Sequence, residues 1–257
     1  MAVKKKYKYG LALSGGGARG FAHLGVLQAF NEAGIFPEVI SGTSSGAIAA
    51  AMYCDGKAPK EILEIVAKND LNGKINLLML MKGLMKHDNL KKVLQAQLKN
   101  KHFEDLRIPL FVNATDFYKG EEKVFSSGTL TDKIIASSSV PLIYEPTYID
   151  GIPYVDGGLT NNLCVAPVRP LCEILIGVNV NPVKPWKDKS SLTDNLDRSL
   201  YMALRPNILK QKESCDIYIE PEELSKYYLF DSKKIHEIFK VGYEHTKTLL
   251  KKGRLLG

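Results

Sequence analysis

The sequence predicts an α/β layered domain, with a mostly parallel central sheet flanked by helices, and three observations carry that expectation. Strand-like and helix-like segments alternate along most of the chain, as they do where parallel strands are joined by crossover helices. Pro109 to Ala114 and Ile174 to Val180 are apolar enough to be strands buried on both faces. The composition, 257 residues with 45% hydrophobic and 25% charged side chains, is that of an ordinary globular chain. A chain of this length buries roughly three quarters of its unfolded surface, so disordered and fibrous classes are excluded and no staples are needed.

Taken in order, Tyr9 to Leu13 reads as a first strand. Phe21 to Ala33 follows as a helix, with Leu24, Leu27 and Phe30 at helical spacing and Gly34 closing it. Glu38 to Ser41 is a short second strand, and the alanine-rich Gly46 to Met52 a second helix. Helical patterns recur at Lys60 to Asn69 and Asn89 to Asn100, before the two buried strands already named, and further helices close the chain. Pro182 to Asp188 carries a loop signal and no domain boundary. Residues 1–257 are therefore expected to form one domain, with a motif-bearing part at about 9–180 and a helical C-terminal part at about 190–257.

Cys54, Cys164, Cys172 and Cys215 form no C-x-x-C pair and lack zinc-type histidine spacing, so neither a disulfide framework nor a metal is expected, and a reducing cytoplasm is the default compartment. After the lysines at the start, only Leu11 to Leu13 are continuously apolar before three glycines, against about 7–15 residues in a secretion signal core. No stretch approaches the roughly 18 apolar residues of a spanning helix. The chain is expected to be soluble or peripheral to a membrane. The net charge of +7 suits an anionic partner but is too diffuse to choose between nucleic acid and lipid headgroups.

Two glycine-bearing turns carry the chemistry. Gly42-Thr43-Ser44-Ser45-Gly46 matches G-x-S-x-G between a strand and a helix of small residues, the context in which a serine hydroxyl is exposed on a sharp turn. Ser44 is thus a candidate nucleophile, with the following helix N-terminus aimed at developing negative charge. The bland alternative is a helix N-cap. Upstream, Gly15-Gly16-Gly17-Ala18-Arg19-Gly20 joins the first strand to the first helix and can present N–H groups to an anion, either a transient oxyanion or a phosphate. Gly15, Gly17 and Gly20 also satisfy the dinucleotide fingerprint G-x-G-x-x-G, but no acid follows the second strand where such a site wants one. Arg19 adds positive charge there, or holds the loop's shape.

A nucleophilic serine needs a base. His23 lies among apolar residues of the first helix and reads as structural. His87, His102, His236 and His245 lie in lysine-rich helical surroundings without an orienting acid and read as surface residues. The better candidate is Asp156 in Tyr154-Val155-Asp156-Gly157-Gly158, an acid at the end of a short strand, although Asp-Gly is also a common turn.

Taken together, GGGARG, GTSSG and DGG, in this order, resemble the patatin-like phospholipase family, whose members use a Ser–Asp dyad. The stretch Ala136 to Pro146 is similar to the family's A-S-x-x-x-P-x-x-F-x-P segment, with Tyr144 in place of the usual Phe, and the resemblance spans Tyr9 to about Asn162. It implies a patatin-like fold, Ser44 as nucleophile and Asp156 as its base. The backbone of Gly15, Gly16 and Gly17, with Arg19, becomes the oxyanion-stabilising region, supported by Gly20, Gly42, Gly46, Gly157 and Gly158. The implied substrate is a lipid or acyl ester, a phospholipid or lysophospholipid, with no nucleic acid, metal or cofactor involved. A nucleotide-binding regulatory protein using Gly15 to Gly20 is the alternative. An aspartate can serve as base only if a dry site raises its pKa from the usual 3.9 or so. Leu77 to Met85, with three methionines and flanked by Lys74, Lys82 and Lys86, reads either as a lid or membrane-contacting helix or as a buried core helix. The C-terminal third carries no matching motif, and oligomeric state is not legible.

Overall fold

The computed structural model describes residues 5–69, 87–183, 192–229 and 231–253; Leu77 to Met85 lies outside them. At the centre is β1 (Tyr7–Leu13), whose Leu11, Ala12 and Leu13 are fully buried. A strand apolar on both faces belongs in the middle of a sheet covered by helices. It pairs in parallel with β2 (Val39–Gly42) and with β7 (Cys172–Val178), and the sheet order is β5 (Thr147–Ile149), β6 (Ile152–Asp156), β3 (Leu110–Asp116), β2, β1, β7, β8 (Ile217–Ile219), with β4 (Glu121–Phe125) also paired to β3. The parallel pairs run from β3 across to β8, while β4, β5 and β6 add antiparallel pairs at the other end.

The helices are α1 (Phe21–Glu32), α2 (Ser45–Cys54), α3 (Pro59–Asn69), α4 (Asp88–Gln97), α5 (Leu130–Ser137), α6 (Leu192–Lys212) and α7 (Ile235–Lys251). The expected strands and helices lie within a few residues of these bounds. The C-terminal part departs from expectation: it is not purely helical, because Ile217–Ile219 joins the sheet beside β7. Helix α7 returns across the molecule to lie against α1. A Cβ on Gly242 would strike the carbonyl oxygen of Ala22, and one on Gly25 that of Phe239, so the two helices meet backbone to backbone. Among the described residues, no helix is long and apolar enough to cross a membrane.

The pairing of β3 brings two distant parts of the chain together. On β3, Val112 pairs with Gly42 of β2 and Ala114 with Asp156 of β6, while β4 pairs with Val112 through Asp116. Since β4 occupies one flank of β3 along that stretch, β2 and β6 must share the other flank. The C-terminal ends of β2 and β6 therefore meet there, although 114 positions separate Gly42 from Asp156 in the chain.

Candidate active site

Ser44 sits between the end of β2 and the start of α2 with φ 52° and ψ −121°, a left-handed conformation that costs a residue bearing a Cβ of order 1–3 kcal/mol. The turn is so tight that a Cβ on Gly42 would lie 2.6 Å from the carbonyl oxygen of Gly46, and one on Gly46 2.5 Å from that of Leu13. Only glycine fits at either place. The Ser44 amide donates to Ser137 Oγ (2.8 Å), and its carbonyl accepts from Ala47 (2.9 Å) and Ile48 (3.2 Å). Its side chain makes no capping bond, which removes the N-cap reading. Ser44 and Asp156 line the same cavity, and the hydroxyl pulls the carboxyl toward its ionised form.

Asp156 closes β6 with 7% of its surface exposed. Burial pushes its carboxyl up to about 6, against the opposing pull of the Ser44 hydroxyl and of the Gly158 amide, which donates to Oδ1 at 2.8 Å. The dry surroundings that a dyad base requires are thus present. Gly157 packs against the Asn113 backbone, too close for any side chain. Behind the turn lies a polar network that the sequence did not reveal. Thr43 Oγ1 donates to Asn113 Oδ1 (2.7 Å), Asn113 Nδ2 donates to Asn161 O (2.7 Å), and both asparagine side chains reach Glu122 Oε1 (3.0 Å each).

The glycine loop faces the serine: a Cβ on Gly15 would come within 3.1 Å of Ser44 Cβ, and one on Gly20 would strike Ser45 Oγ. Its amides are not equivalent. The Gly15 amide is committed to Asn162 O (3.2 Å) and that of Ala18 to Leu229 O (2.7 Å), which takes Gly15 off the list of oxyanion donors. Among the described residues, no hydrogen bond engages the amides of Gly16, Gly17 or Ser45. Of its two readings, Arg19 takes the one that holds the loop's shape, not the oxyanion-stabilising one. It is buried, lines neither cavity at Ser44, and sends Nε to Tyr227 O (2.8 Å) and Nη1 to Asn181 Oδ1 (3.4 Å), so it braces the loop against the C-terminal part. Asn181 in turn donates Nδ2 to Gly15 O at 2.6 Å.

His23 is fully buried, with Nε2 2.8 Å from Ser14 O, and burial lowers its pKa to about 4, in keeping with a structural role. His102 and His236 are exposed and His245 is half-buried. His87 is not the surface residue expected. It stacks on Tyr144 with ring centroids 3.7 Å apart, bonds Ser138 O through Nε2 (3.1 Å), and burial brings its pKa to about 4. Its sequence neighbours are lysines and aspartate, so nothing local betrays this contact across 51 positions.

Two cavities meet at Ser44. One, about 90 Å³, runs between helices and is walled by Leu24, Ile48, Ile62, Val66 and Leu90, with His87 and Tyr144 at its edge. The other, about 70 Å³, lies over the glycine loop and is bounded by Asp156, Leu159, Asn162, Asn181 and Leu204. Val140 and Gly17 line both. Among the described residues, no cluster of three or more His, Cys, Asp or Glu is arranged to hold a metal.

A strained serine over a parallel sheet, sharing a cavity with a buried carboxylate beside unengaged loop amides, is an arrangement suited to nucleophilic chemistry. The chain belongs to the patatin-like phospholipase family, whose model matches residues 11–170. Similar curated proteins include an uncharacterized NTE family protein of Mycobacterium bovis, 32% identical over 63% of this chain and 28% of that protein. Lysophospholipase NTE1 of Coccidioides immitis is 26% identical over 94% of this chain and 17% of its own length. The chain thus spans less than a third of the relatives it matches. VipD from Legionella pneumophila shares the fold at TM-score 0.55 and 17% identity, over 96% of this chain and 67% of that one. Human GIVD cytosolic phospholipase A2, in complex with methyl gamma-linolenyl fluorophosphonate, does so at 0.52 and 11%, over 96% and 59%.

Proposed function

We propose that the protein hydrolyses the carboxylic esters of phospholipids or lysophospholipids through an acyl-enzyme on Ser44, with Asp156 as general base. The observation that carries this reading is the placement of strained Ser44 and Asp156 in one cavity over the glycine loop, with the burial of Asp156 raising its pKa to about 6, close enough to neutrality for it to be ionised and still a useful base. Asp156 takes the hydroxyl proton as Ser44 Oγ forms its bond to the ester carbonyl carbon. The resulting oxyanion falls to the amides of Gly16, Gly17 and Ser45. As the carbon–oxygen bond to the alcohol breaks, the proton passes from Asp156 to the departing oxygen. Water then repeats the cycle, giving its proton to Asp156 and its oxygen to the acyl group, and Ser44 is restored. Each well-aimed amide is worth roughly 3–4 kcal/mol to such an intermediate. The helix-walled cavity suits an acyl chain, because its lining is apolar and continuous with the serine. Contact with a membrane surface belongs to the same proposal, since the substrate resides there.

A fluorophosphonate probe, followed by peptide mass analysis, tests the assignment. The expected adduct is on Ser44, with Ser44→Ala unlabelled and at least about 10³-fold slower on a nitrophenyl ester while retaining its fold. An adduct elsewhere, or an active Ser44→Ala, overturns it.

A further inference from the structure

We propose that the turn Ser137-Ser138-Ser139, at the end of α5, is a two-armed staple that aligns the dyad, and that His87 braces its middle; Ser137 and His87 are thus positioning residues. This inference rests on the reading of Ser44 and Asp156 given above and assigns new residues to it. One arm is Ser137 Oγ, which accepts the Ser44 amide at 2.8 Å; the other is Ser139 O, which accepts the Asp156 amide at 2.9 Å. The nucleophile and its base are thereby held by one short piece of backbone as well as by their own strands. The arm to Ser44 matters because that residue's φ of 52° is costly and must be imposed from outside. A bond to its amide from a buried hydroxyl supplies part of that constraint: Ser137 is fully buried.

The staple is itself held on several sides. Ser139 Oγ donates to Ile135 O (2.9 Å) and lies 2.9 Å from Thr147 Oγ1 of β5, and Ser138 Oγ donates to Ile134 O (3.0 Å). Ser138 O accepts both the Val140 amide (3.0 Å) and His87 Nε2 (3.1 Å). The Tyr144 amide bonds Val140 O (2.9 Å), and the Tyr144 ring returns to stack on His87. A closed circuit therefore runs from His87 through Ser138 and Val140 to Tyr144 and back, enclosing the turn that grips the dyad. The hydrogen bond of His87 goes to Ser138, and it is through Ser138 that His87 acts on the dyad.

The test is fluorophosphonate labelling that records rate and stoichiometry separately, together with kcat and KM on a short-chain nitrophenyl ester. Ser137→Ala leaves a buried amide unpaired, and is expected to slow both labelling and kcat by about 10- to 100-fold, with KM within about two-fold and full labelling stoichiometry. His87→Phe retains a ring for Tyr144 but loses the bond to Ser138, with about 3- to 10-fold slowing expected in the same pattern. A merely structural role would instead reduce the labelled fraction and leave the surviving molecules at the normal rate. Normal rates in both variants, or slowing matched by a proportionate loss of stoichiometry, would overturn the staple while leaving the nucleophile assignment standing. A wild-type protein that does not label on Ser44 overturns the assignment itself.

Discussion

The two cavities at Ser44 share mainly apolar walls but differ in the polar groups set into them. Aliphatic side chains from α1, α2, α3 and α4 line the helix-walled one, together with Phe21, His87 and Tyr144, whereas the one over the glycine loop, lined by Val140, Pro141, Leu159, Leu204 and Leu229, also holds two asparagine amides and the Asp156 carboxylate. Aliphatic walls attract without direction, at about 0.8 kcal/mol per buried methylene, so they read how much chain is present. Fixed amides and a carboxylate read where polar atoms lie. On the reading proposed above, the acyl chain lies on the helix-walled side and the alcohol over the glycine loop, and the difference between the two walls sets how each end is held.

The largest expected effect ignores the distinction, because both sides share the base. Asp156→Asn should lower kcat by about 10³- to 10⁴-fold on long- and short-chain esters alike. A loss confined to long chains would show that Asp156 shapes the acyl side and is not the base. Next comes a reciprocal pair. Ile48→Phe, in the helix-walled cavity, should cut kcat/KM for a sixteen-carbon acyl ester about tenfold relative to a four-carbon one, as if roughly two methylenes had lost their place. Leu204→Trp, on the other side, should shift preference among leaving groups at constant acyl chain. If each variant altered the opposite preference, the two cavities would have to be exchanged.

The effect on folding stability, rather than on turnover, locates the charge. The folded-state pKa of Asp156, about 6, lies above its ordinary 3.8, so between those values the folded protein holds a proton that the unfolded chain has released. The stability linked to that proton is fully present below about pH 4 and is lost as pH rises through about 6. Asp156→Asn should therefore be more stable than wild type at pH 8, by of order 3 kcal/mol, and should show no such advantage at pH 4. In thermal melts that is a rise of several degrees at the higher pH only. Hydrolysis should run the opposite way, with kcat/KM falling as pH drops through about 6. An equal stability gain at both pH values would place the carboxylate in water, where it could not serve.

Much of the site was legible because each catalytic candidate is announced by its immediate neighbours. Ser44 needs glycines on both sides of a sharp turn, and Asp156 needs a glycine whose amide can bond its carboxylate, so both leave local signatures. The central strands were legible for a similar reason: burial on both faces demands an unbroken apolar run. Glu121–Phe125 was not, since it begins with three charged residues, as a strand with one solvated face does, and Ile217–Ile219 is too short to show a period. The supports of the dyad were equally silent. Ser137 meets the Ser44 amide across 93 positions and His87 meets Ser138 across 51, and no rule of spacing connects them. Arg19 is a case the sequence left open between two roles, because its own partners lie about 160 and 208 positions downstream.

Those distant partners bear on how such proteins should be cut for study. Every recognisable signature lies before Pro170 in the chain, yet Leu229 and Tyr227 supply the carbonyls that fasten Ala18 and Arg19, and Val178 accepts the amide of Ser14. A truncated version ending with the last signature would satisfy any pattern search and still leave its anion cradle slack, like an arch that has kept its keystone and lost an abutment.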